Sequence, residues 1–135
     1  MLVYAHAEQA PRHAEHRDWL RAMVESESAF AMSELVLSGF LRVVTSQRAF
    51  DPPMQMERAL VAANALRSRP NCVIVSPGRD HWEIFSRLCL QSGVKGNLVP
   101  DAYFAALAIE SGNEWISTDR DYSRFVGLRW RHPLE

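Results

Sequence analysis

The stretch "LVPDAYFAALAIESGNEWISTDRDYSRF", Leu98–Phe125, decides how this chain is read. Leu98 to Ser111 predicts a helix, stopped by Gly112. "EWIS" is short and apolar and predicts a strand, which runs straight into Thr118, Asp119 and Asp121. "RDYSRF" then reads as a helical turn. A helix, a strand and acids at the strand's carboxyl end point to an α/β fold, because ligand sites in parallel sheets gather there.

Working outward, the same alternation continues. "NCVIVSPG" is a β-branched run closed by Pro77-Gly78 and predicts a buried strand; Asp80 to Gln91 predicts a helix with Asp80 as N-cap and Gly93 as its stop. Upstream, "LVYA" reads as the end of a strand that starts at the terminus. Helices are predicted over Arg12 to Glu25, Ser28 to Val44 and Met54 to Arg69, with "FDPP" as the break between the last two. "LRWRH" predicts a last strand. The expected architecture is an α/β protein with a mostly parallel sheet, built as one domain over residues 1–135.

Composition narrows the function classes. Net charge is −1, so no overall basic field announces nucleic acid. Lys95 is the only lysine, and all other basic residues are arginine, which grips phosphate oxygens well but also follows from codon bias. Cys72 and Cys89 form no C-x-x-C unit and read as small core residues. The N-terminus turns polar after a few residues and offers no signal-peptide core, and no apolar run reaches the roughly 18 residues of a membrane helix. A cytoplasmic protein with no membrane contact is expected. There is no G-x-G-x-x-G, G-K-[ST] or G-x-S-x-G motif. His13 and His16 read as a solvated helix face rather than a metal pair. The four tryptophans read as packing residues.

The strongest signal is negative charge on apolar faces. Between Ser28 and Leu41 the only charged residue is Glu34, whose helical row reads Phe30, Glu34, Leu37, Leu41, Val44. Between Leu98 and Ile109 the only charge is Asp101, with Phe104, Ala105 and Ala108 in its row. An ionised carboxylate on such a face is costly unless paired or bound to a metal. Competing readings exist: Asp101 follows Pro100 in a first turn, where the helix dipole favours an acid by ~0.3–1 kcal/mol; Glu34 could sit in a buried ion pair with an arginine; Thr118 with Asp121 matches a capping box; and Asp119 could itself be an N-cap. Glu34, Asp101 and Asp119 together are expected to converge on one site. Convergent carboxylates repel, and a hard divalent cation, Mg²⁺ or Mn²⁺, relieves that repulsion.

These residues resemble a PIN-domain ribonuclease, in particular the toxin of a VapBC-type toxin–antitoxin pair. The resemblance rests on "LVYAH", "SELVLSGFLRVVT", "NLVPDAYFAALAIESG" and "ISTDRDYSRF", in that order. It implies a three-layer α/β/α sandwich, a Mg²⁺- or Mn²⁺-dependent site that hydrolyses RNA, an antitoxin partner and a homodimer. Residue by residue, Glu34, Asp101 and Asp119 fall on the family's acidic positions. Asp121 matches an extra acid of some members, and Thr118 a supporting hydroxyl. Arg120 and Arg124 flank the acids and are the expected phosphate contacts. The family's first strand carries a further Asp, and often an Asn, before the residues matching "LVYAH"; here the chain begins at Met1. The expectation is an internal or alternative start, a truncated first strand and a weakened hold on the cation. Two competitors follow: a PIN-like module that binds RNA or antitoxin without cutting, and a phosphatase-like hydrolase using the D-x-D of Asp119 and Asp121.

Overall fold

The computed structural model describes residues Met1–Glu135. The chain divides into two compact units, Met1–Ile74 with Leu134, and Val75–Pro133 with Glu135. No helix is long and apolar enough to cross a membrane.

The first unit contains α1 (Leu2–His6), α2 (His13–Glu25), β1 (Phe30–Met32), α3 (Glu34–Val44), α4 (Met56–Arg67) and β2 (Cys72–Ile74). β1 and β2 pair in parallel, Phe30 opposite Cys72 and Met32 opposite Ile74. A parallel pair needs a long crossover, which α3 and α4 supply. Each helix buries one stripe: Leu20 and Val24 on α2, Leu37, Phe40 and Val44 on α3, Ala59, Ala63 and Leu66 on α4. Asn71 Nδ2 donates to the carbonyls of Ser26 and Ser28 at 2.9 and 3.0 Å, tying the α2–β1 loop to the start of β2.

Three expectations for this unit are corrected. "LVYA" is helical, not a strand end: Leu2 and Ala5 lie one turn apart on the buried face of α1, and Ala5 N–H donates to Met1 O at 3.1 Å. A short apolar run fits either period, and here packing of the three-residue spacing wins. Ser28 to Val44 is not one helix. Phe30–Met32 is strand, and Ser33, in extended backbone, opens α3 by accepting the Leu35 N–H on its hydroxyl at 3.2 Å. The strand over "NCVIVSPG" is not buried: Val73 is 52% exposed.

The second unit contains α5 (His81–Gln91), α6 (Val99–Glu110) led in by a 3-10 turn at Gly96–Leu98, β3 (Trp115–Ile116), a 3-10 helix (Arg120–Arg124) and β4 (Trp130–Arg131). α5 packs on α6, whose Ala102, Ala105 and Ala106 are fully buried and leave room for Leu88. Gly93 and Gly112, at φ +58° and +69°, turn the chain out of these helices as expected. β3 and β4 pair in parallel, Trp115 opposite Trp130, the crossover carrying the 3-10 helix. Trp82 departs from its packing role, being 70% exposed at the start of α5.

Asp80 is the N-cap residue of α5, yet its side chain makes no capping bond. Glu110, at the end of α6, serves instead: its Oε2 accepts the Gly78 N–H at 2.8 Å and its Oε1 the Asp80 N–H at 2.9 Å. An anion at a helix N-terminus is favoured by the orphan N–H groups and the dipole. These bonds hold the Glu110 carboxyl below its ordinary pKa.

Candidate active site

The second unit places Asp119 and Asp121 near enough to Asp101 for their charges to act on it. Asp101 enters on the first turn of α6, just after Pro100, half-buried. Asp119 and Asp121 enter on the far side of β3. The chain leaves the strand at Ser117, whose hydroxyl accepts the Asp119 N–H at 3.1 Å. Asp119 then caps the 3-10 helix, its Oδ1 accepting the Asp121 N–H at 2.8 Å. The cap is therefore Asp119, not Asp121 or a Thr118–Asp121 box. Asp121 instead pairs with Arg124 one turn on, at 2.7 Å, both half-exposed.

The electrostatics record the crowding. Burial raises the Asp101 pKa, a hydrogen bond from Tyr122 opposes the rise, and the charges of Asp119 and Asp121 add to it. Tyr122 Oη donates to Asp101 Oδ1 at 3.0 Å. Its phenol is pushed upward, by burial first and then by the Asp101 charge. Tyr122 and Ser117 carry no charge and sit among packing and turn residues, so a search for isolated acids passes over both. The signal that finds Tyr122 is its place between Asp121 and Phe125, where a plain apolar residue would satisfy the packing.

Other expected site residues are placed differently. Glu34 lies in the first unit as the first residue of α3, not at mid-helix. Its side chain is 63% exposed and accepts from Arg67 Nη2 at 2.6 Å and Nε at 2.9 Å. The inward-facing row argued for it does not exist, since Phe30 belongs to β1. Arg120 pairs with Glu135 and Arg124 with Asp121, so both flanking guanidinium groups are already engaged by carboxylates. Thr118 makes no hydrogen bond through its hydroxyl; Ser117 holds Asp119 in its stead. His13 and His16 are not a solvated face: His16 is buried against Tyr4, and His13 Nδ1 bonds Tyr4 O at 2.9 Å.

The donor set suits a hard cation. All three groups are carboxylates, and their mutual repulsion is what a divalent ion offsets. No three His, Cys, Asp or Glu side chains are gathered closely enough to form a ligand cage by themselves. A hard divalent cation that keeps several waters needs only one or two carboxylates, so the donor chemistry present is compatible with such an ion. Asp101 and Asp119 each keep an oxygen beyond the one bonded to Tyr122 Oη or Asp121 N–H.

A PIN domain profile matches residues 1–128. The chain is 38% identical over 135 residues to VapC ribonuclease Mb2897 of Mycobacterium bovis, covering 100% of this chain and 92% of that protein. It is 32% identical over 133 residues to ribonuclease VapC25 of Mycobacterium tuberculosis, covering 98% of this chain and 94% of that protein. Among solved structures it is similar to VapBC2 from Rickettsia felis, crystallised bound to a DNA fragment from their promoter. The TM-score is 0.67 at 19% identity, over 97% of this chain and 92% of that one, a likeness of fold.

Proposed function

The chain belongs to the PIN-domain family, and from that premise we propose that it is a VapC-type endoribonuclease, the toxin of a toxin–antitoxin pair. The profile match spans residues from both units, which supports taking them as parts of one catalytic domain. The observation that carries the reading is Asp101. It is an acid half-buried beside two further acids, whose charges and burial disfavour its ionised form. Perturbed groups of this kind cluster at functional sites.

Asp101 and Asp119 would hold Mg²⁺ or Mn²⁺, with Asp121 beside them. Such an ion, when bound, lowers the pKa of a coordinated water and offsets charge on a phosphoryl group. The chain's own residues arrange the rest. Tyr122 holds one Asp101 oxygen, Ser117 and the Asp121 N–H hold Asp119 at the strand end, and Arg124 partly neutralises Asp121. An RNA phosphate competes with Asp121 and Glu135 for Arg124 and Arg120, whose exposed guanidinium groups can exchange partners at small cost. Glu34 enters this reading through its sequence motif. A VapB-like antitoxin is the expected partner, supported by the assembly named for the Rickettsia felis structure. A homodimer in the cytoplasm, where RNA is found, completes the reading.

Incubating the purified chain with RNA, with and without Mn²⁺, tests it. Cleavage that needs the metal, that is lost in Asp101→Asn and that is less affected in Asp121→Asn is the expected result. Mn²⁺ binding without any cleavage would favour the non-cutting module.

A further inference from the structure

We propose that Tyr122 is a positioning residue for the candidate metal site, its hydroxyl setting the orientation of the Asp101 carboxylate. The proposal rests on the metal-site reading above and adds a residue that the acidic motif does not contain.

The geometry is specific. Tyr122 is 5% exposed. Its ring lies beside Trp115, centroids 5.2 Å apart, and Phe125, 6.0 Å apart. Phe125 is itself buried. A buried ring packed in this way has little room to move, so the position of its hydroxyl is well defined. From that point it donates to Asp101 Oδ1 at 3.0 Å. Asp101 is on a different element, the first turn of α6, and Tyr122 is the residue that hydrogen-bonds its side chain. The bond thus ties the helix that carries one acid to the 3-10 helix that carries Asp121 and is capped by Asp119.

The chemistry follows from which oxygen is taken. With Oδ1 held by a neutral donor, the carboxylate cannot turn away from Asp119 and Asp121 to relieve repulsion. Its second oxygen is left available to a cation. Asp119 and Asp121 are constrained by local partners, a backbone N–H and an arginine one turn away. Asp101 alone depends on a partner from the core. Outer partners that orient metal-binding carboxylates are a recurrent part of such sites. A purely structural account, in which Asp101 merely satisfies a buried phenol, leaves unexplained why the acceptor is an acid flanked by acids.

The experiment uses the full chain and Mn²⁺ alone as ligand. Tyr122→Phe keeps the ring and removes the donor. Calorimetric titration should show Mn²⁺ affinity weakened by about 10-fold, within the range known for outer partners of metal ligands. In an Asp101→Asn background the same substitution should have little further effect on affinity, because the role acts through Asp101. Cleavage should lose kcat with KM for RNA unchanged. Unchanged Mn²⁺ affinity in folded Tyr122→Phe would overturn the proposal, as would an equal loss in both backgrounds. A second measurement needs no variant: with tyrosines labelled at Cζ, the Tyr122 resonance of the native chain should move on adding Mg²⁺. A resonance that stays put while Mg²⁺ binds would overturn it too. A native chain that binds Mn²⁺ without cutting RNA would sink the nuclease reading, and the affinity arm would still decide Tyr122. A native chain that binds no Mn²⁺ would sink both.

Discussion

Replacing Asp101 by Asn separates a functional acid from a structural one, because the two readings differ in the sign of the stability change. Asn retains an oxygen that can accept from Tyr122 Oη, so the 3.0 Å contact survives in weaker form. Bonds to charged groups contribute ~1.5–3 kcal/mol net and neutral ones ~0.5–1.5, a loss of about 1 kcal/mol. Against this, the substitution removes the burial cost of the charge and its repulsion from Asp119 and Asp121, and gives up some attraction to Arg124. The raised Asp101 pKa says that these effects together favour the neutral form. Asp101 is only half-buried, so solvent screening keeps the net gain below about 1 kcal/mol. That corresponds to a melting temperature between unchanged and about 4 °C higher. Metal-dependent RNA cleavage should fall by ~10²–10³-fold, as for loss of one charge-stabilising group in an active site. The assay is thermal unfolding at pH 7 beside single-turnover cleavage in Mn²⁺. A melting temperature lowered by more than about 5 °C would make Asp101 a structural anchor, and cleavage at the native rate would remove it from the site.

Glu110→Gln should destabilise the start of α5, since both carboxylate oxygens hold N–H groups there. Its folded pKa lies below the unfolded 4.5, so the stabilisation is present above pH 4.5 and is lost as pH falls through the folded value. The gap in urea midpoint between native and variant should be clear at pH 7 and narrow as pH falls below 4.5; a gap independent of pH would show that the charge is irrelevant. His6 is held below its ordinary 6.5, by burial first, with a bond to Leu2 O opposing and the nearby His13 adding. Burial sets it against the Phe40 ring, centroids 5.0 Å apart. Its folded pKa lies below the unfolded one, so stability should decline as pH falls below 6.5, and His6→Phe should flatten that decline in denaturation curves taken between pH 7 and 5. Glu34→Gln breaks only an exposed pair with Arg67, so stability should stay within about 0.5 kcal/mol, while a drop in RNA cleavage would place Glu34 in the chemistry.

The helix–strand alternation was legible because each helix of the second unit announces its own limits. Pro100 opens α6, Gly112 closes it, and Gly93 closes α5. Asp101 stood out for the same local reason, as a single charge in an apolar run. Glu34 stood out for a reason that proved wrong. Ser33 ends a strand and starts a helix, but apolar residues on both sides disguise the change of period, and Glu34 was given an inward face that it does not have. Exposed Trp82 and buried His16 show the same limit, since residue type alone does not say which way a side chain faces.

What the sequence determined by itself was local: the order of helices and strands from α4 onward, the α/β class, and the acids at the start of α6 and the end of β3. These follow from spacing, breakers and caps within a few residues. What only the tertiary structure decided was partnership between distant positions. Glu110 caps a helix thirty residues before it, Ser117 replaces Thr118 as the hydroxyl beneath Asp119, and Tyr122 reaches Asp101 across two elements. Hydrogen bonds have ranges near 3 Å and sharp directions. Which donor meets which acceptor is fixed when the elements pack, and no periodicity in the chain records it.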